Sequence, residues 1–70
     1  MAEETLRLIH NEAMVCASNI KEFGRYRKYE WELWGYLACM CDIGYISYVE
    51  KIKIELHYRA YFNELKTGRN

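Results

Sequence analysis

Ser47-Tyr48-Val49-Glu50-Lys51-Ile52-Lys53-Ile54-Glu55-Leu56-His57-Tyr58 admits two folds. From Lys51 onward polar and apolar residues alternate without a break, the period-two pattern of a half-buried strand. A hairpin pairing residues 45–49 with 52–58 would satisfy it. The residues just ahead point the other way. Ser47 and Glu50 have the spacing of a capping box, in which the serine hydroxyl accepts from the Glu50 amide and the Glu50 carboxylate accepts from the Ser47 amide. Such a box has a use only where a helix begins. No two-residue turn such as Asn-Gly separates the would-be strands, and a lone hairpin is marginal in water. The stretch therefore predicts a helix over residues 47–66, with an α+β fold ending in a hairpin as the alternative.

Period two laid on a 3.6-residue helix produces two apolar stripes. Tyr48, Val49, Ile52, Leu56 and Ala60 form one, and Ile54, Tyr58, Tyr61, Phe62 and Leu65 form the other. Lys53, His57 and Glu64 separate them on one side; Lys51, Glu55, Arg59 and Lys66 do so on the other. One stripe can enter an intramolecular core. The second then needs a further helix, a second copy of the chain or a target.

Upstream, the same reading extends to the whole chain, which contains no proline. Leu6, Ile9, Ala13, Cys16, Ile20 and Phe23 recur at spacings of three and four, predicting a helix over 3–23 with Glu3 and Glu4 in its first turn and Gly24 as its terminator. A second helix is expected over 25–42, closed by Gly44, with Tyr26, Tyr29, Leu33, Tyr36, Leu37 and Met40 on its core face. The expected architecture is a single all-α domain over 1–70. It would be a small three-helix bundle, or a helical hairpin with an extra N-terminal helix.

Composition limits what such a domain can do. Seventy residues with ten basic and ten acidic side chains carry no net charge, which argues against a strongly basic nucleic-acid binder and against an acidic DNA mimic. No apolar run reaches membrane-spanning length, and Met1 to Thr5 carries Glu3 and Glu4 where a secretory leader would be basic, so a cytoplasmic protein is expected. Three cysteines, Cys16, Cys39 and Cys41, are an odd number, and the last two are too close for an ordinary structural disulfide within one helix; reduced thiols are expected.

Catalytic and cofactor motifs are missing from this pattern. His10, His57 and the cysteines fall on three different helices without Cys-x-x-Cys pairs, so neither a metal nor any other cofactor is expected. Cys39 or Cys41 would become a nucleophile only if His57 came close enough to lower its pKa, which nothing in the spacing requires. Arg25-Tyr26-Arg27-Lys28-Tyr29 interleaves bases with aromatics as single-strand binders do, but a helix disperses its charges, leaving nucleic acid as a secondary reading.

What stands out is aromatic surface: seven tyrosines, two tryptophans and two phenylalanines. Trp31, Trp34 and Ala38 gather on a flank of helix 2 away from its core stripe, and Gly35 beside them opens a notch that costs about 1 kcal/mol of helix propensity relative to alanine. Truncating an aromatic interface anchor typically costs about 2 kcal/mol or more. Trp31, Trp34 and Gly35, with Ile54, Tyr58, Tyr61 and Phe62 of the second helix-3 stripe, are therefore the expected partner-binding residues.

Trp34-Gly35-Tyr36-Leu37, Asp42-Ile43-Gly44-Tyr45-Ile46-Ser47 and Glu50 resemble the helix-Gly-x-Ile-Ser-helix hairpins of short proteins from bacteriophages and mobile elements. The resemblance covers about residues 29 to 66. Proteins of that look include stoichiometric inhibitors, among them anti-CRISPR proteins, and the resemblance implies a small non-enzymatic module that sterically blocks a larger host protein such as a CRISPR effector. It carries no functional residue onto this chain. The alternative is a homo-oligomeric helical module that binds nucleic acid.

Overall fold

A computed structural model describes residues 1–67, and among these there are three α-helices and no strand: α1 (Glu3–Phe23), α2 (Tyr26–Asp42) and α3 (Tyr48–Lys66). Residues 51–58 lie inside α3, so the hairpin alternative is not adopted. The box at its start is formed as expected. Ser47 N–H donates to Glu50 Oε1 at 2.8 Å, and Glu50 N–H donates to Ser47 Oγ at 3.1 Å. The other Glu50 oxygen lies 3.1 Å from the Met1 amino group. The Ser47 amide foremost, and then that amino group, hold the Glu50 carboxyl below its ordinary pKa. Gly68, which follows α3 in the sequence, lies outside the described residues.

Glycine ends the other two helices, each time in the left-handed region where a side chain would be strained. At α1, Gly24 has φ 71° and its N–H reaches Ile20 C=O at 2.9 Å. At α2, Gly44 has φ 91°; its N–H bonds Cys41 C=O at 3.1 Å and the Tyr45 N–H bonds Met40 C=O at 2.9 Å. That pair of bonds is a Schellman motif, and it satisfies carbonyls the helix leaves open.

Connections of two residues between α1 and α2 and five between α2 and α3 fold the chain up, down and up. Side-chain pairs fix the order. Phe23 packs on Tyr29 near the first turn, Trp34 packs on Phe62 across the second pair, and His10 meets Tyr58 where α1 and α3 run parallel. The core is one cluster: Ile9, Ala13, Cys16, Ala17 and Ile20 from α1, Leu33, Leu37 and Met40 from α2, Ile46 from the connection, and Ile54, Tyr58 and Phe62 from α3. The heptad run of α1 is thus buried in its middle, while its ends, Leu6 and Phe23, are exposed. No described helix is long and apolar enough to cross a membrane.

Only one stripe of α3 is covered, and it is the one assigned to a partner from sequence. Ile54, Tyr58 and Phe62 are buried, with Phe62 wholly so, and Tyr61 and Leu65 pack partly against the same cluster. The expectation that Ile54, Tyr58 and Phe62 present a binding surface is therefore corrected. The reason lies in the neighbouring helices: Phe62 packs on Trp34 of α2 and Tyr58 meets His10 of α1, so this stripe finds ring partners on both sides.

Candidate interaction surfaces

Burying one stripe exposes the other. Val49, Ile52, Leu56 and Ala60 fall on the side of α3 opposite the Tyr58 and Phe62 face by helical periodicity. Tyr48, Val49 and Leu56 are each exposed by more than half, at 67%, 61% and 59%, and Ile52 is partly exposed. Ile43 and Tyr45, in the connection that leads into α3, are also exposed. Scattered apolar surface residues are ordinary, but a run of them along one helix face is an unpartnered stripe.

The tryptophan flank of α2 divides. Trp31 is 70% exposed, whereas Trp34, one turn later, is half-buried on Phe62 with ring centroids 6.3 Å apart. The Arg59 guanidinium lies over Trp34 at 5.5 Å, so a cation of α3 covers that indole. Gly35 is exposed, and a Cβ built there meets nothing within 4 Å. Its notch faces open space. Of the expected partner-binding residues, the structure brings Trp31 and Gly35 to the surface, leaves Trp34 and Tyr61 partly covered, and places Ile54, Tyr58 and Phe62 inside.

A groove of about 570 Å³ runs between the first half of α1 and the middle of α3. Leu6, Ile54 and Tyr58 give it apolar walls; Arg7 and His10 of α1 and Lys53 and His57 of α3 surround them, with Glu3 as its one acid. Tyr58 is held from two sides. Its hydroxyl is 3.0 Å from His10 Nδ1, and the His57 ring meets the tyrosine ring edge-on at 4.8 Å. Burial pushes the Tyr58 phenol above its ordinary pKa, so it stays protonated.

Sequence reasoning did not find this groove, because it is made by residues 48 positions apart. The only signal was local: Leu6 and His10, and on α3 Lys53 and His57 or Ile54 and Tyr58, are pairs four apart that share a helix face. A second unforeseen feature is Glu30, buried on the core side of α2 with Oε2 lacking any hydrogen-bond partner among the described residues. Burial first, and then the Glu30 carboxylate nearby, raise the Tyr26 phenol pKa.

The three thiols are free, with Cys16 buried, Cys41 partly covered and Cys39 exposed. Neither Cys39 nor Cys41 meets His57, which lines the α1–α3 groove instead. Among the described residues no three His, Cys, Asp or Glu side chains gather as a metal would require. No protein-family model, curated protein or solved structure matches this chain.

Proposed function

We propose that this chain is a non-enzymatic protein-binding module whose contact face is the outer stripe of α3. One observation carries the reading: a helix whose other side is covered by the core exposes Val49 and Leu56, with Ile52 partly exposed between them and Tyr48 exposed at its start. Water contact with such a stripe is unfavourable by roughly 25 cal/mol per Å² of apolar surface, and a complementary protein groove relieves it. Trp31 supplies a second exposed anchor on α2. A module with no convergent polar groups on this face acts stoichiometrically, by occupying a functional surface of a larger protein, as small inhibitors do.

Self-association through the same face is the second reading. It is favoured by the mixed signs of Lys53, His57 and Glu64 along one edge of the stripe, which two copies can match. On the other edge Lys51 pairs with Glu55, and Arg59 and Lys66 lie over Trp34 and Tyr26. The two readings separate in one experiment. The immobilised chain and its Leu56→Asp, Trp31→Ala and Arg25→Ala/Arg27→Ala variants are used to capture proteins from host lysate, with sedimentation of each variant run in parallel. The expected result is one protein recovered stoichiometrically by the parent and by the arginine variant, and lost with Leu56→Asp. Recovery undiminished by Leu56→Asp removes the stripe from the interface. A dimer that Leu56→Asp dissociates favours the second reading, and capture lost in the arginine variant at moderate salt favours nucleic acid.

A further inference from the structure

The geometry points to the α1–α3 groove as a binding site for a small amphipathic anion, an aromatic or acyl carboxylate. Three observations converge there. Its volume of about 570 Å³ is that of a small-molecule site, where clefts run from roughly 300 to 1,000 Å³. Its walls are apolar, from Leu6, Ile54 and the Tyr58 ring. Its rim carries two cations, Arg7 and Lys53, beside one lining acid, Glu3, with the imidazoles of His10 and His57 as further polar groups.

The two cations differ in what they leave open. Lys53 makes no ion pair among the described residues, while Arg7 is paired with Glu4 at 2.9 Å on the exposed side of α1 and can share a second carboxylate through its other nitrogens. An apolar body seated against Leu6 and Ile54 would place its carboxylate between Arg7 of one helix and Lys53 of the other. A cation of the same shape would meet like charge, and a neutral molecule would gain the walls without the rim.

The floor is also set before any ligand arrives. Tyr58 is anchored below by the core cluster, at its hydroxyl by His10 and at its ring by the His57 edge, so binding orders little of the protein. The groove lies on the α1 side of α3, whereas the exposed stripe lies opposite the core. Ligand binding and protein docking are therefore separable.

The test is a titration of the ¹⁵N-labelled chain with 2-naphthoate, followed by ¹H–¹⁵N spectra, beside 2-naphthamide, which has the same shape without the charge. Saturable shifts centred on Leu6, His10, Lys53 and His57 are expected, with the amide about tenfold weaker, the loss of two partly screened ion pairs. Arg7→Gln with Lys53→Gln, both exposed positions, should lower naphthoate affinity by about tenfold and leave amide affinity unchanged; Leu56→Ser should alter neither. Equal affinity for the two compounds, shifts centred on Val49, Ile52 and Leu56, or shifts that never saturate would each overturn the site.

Discussion

Cysteine shows how far a residue's surroundings decide its chemistry. Cys16 is 1% exposed, and burial first, then the Glu12 and Glu32 carboxylates, push its thiol from the ordinary 9.0 to about 11. At a given pH that leaves roughly a hundredfold less thiolate, and the thiolate is the form that reacts. Raising the pH toward 9 therefore speeds an exposed thiol while leaving Cys16 almost wholly protonated. Iodoacetamide at pH 8 should modify Cys39 first and Cys41 more slowly, and should reach Cys16 only when the domain unfolds. Mass spectrometry of timed samples checks this order. Modification of Cys16 as fast as Cys39 under native conditions would mean that the α1 core opens readily.

At the scale of the element, α3 carries two stripes that the sequence renders almost equal and the fold makes very different. Phe62 is fully buried, and Phe62→Ala should cost about 3 to 5 kcal/mol, which is most of the stability available to a domain of this size. Leu56→Ser loses only exposed contact and some helix propensity, so it should cost less than about 1 kcal/mol. Urea melts followed by circular dichroism separate the two, and a reversed ranking would put the wrong stripe in the core. The boundaries of α3 and of its neighbours were legible in the sequence, because Ser47, Glu50, Gly24 and Gly44 act locally through backbone bonds that the structure contains. The choice of stripe was not. It depends on Trp34 of α2 and His10 of α1 meeting Phe62 and Tyr58, tertiary contacts that no periodicity within α3 encodes. Trp31 and Trp34 illustrate the same divide: their shared flank was readable from helical spacing, but the Phe62 ring and the Arg59 cation that cover only Trp34 come from another helix.

Taken whole, the described chain extends 34 × 18 × 16 Å, about the length of α1 by the width of two packed helices. Its parts meet in sequence order, since α1 reaches α2 across Gly24 and Arg25 alone and α2 reaches α3 across residues 43–47. The short connections have a consequence in time. Ordering each helix against its sequential neighbour closes only small loops, and the parallel pairing of α1 with α3 is the one step that joins distant segments. With no proline in the chain, slow peptide isomerisation has no place to act. Temperature-jump or stopped-flow refolding followed by tryptophan fluorescence should therefore be complete within milliseconds in a single phase, and a major phase lasting seconds would contradict this topology. A molecule that re-forms so quickly spends little time with its rings exposed, so heat or brief denaturant should leave it recoverable where a larger, slower fold would aggregate.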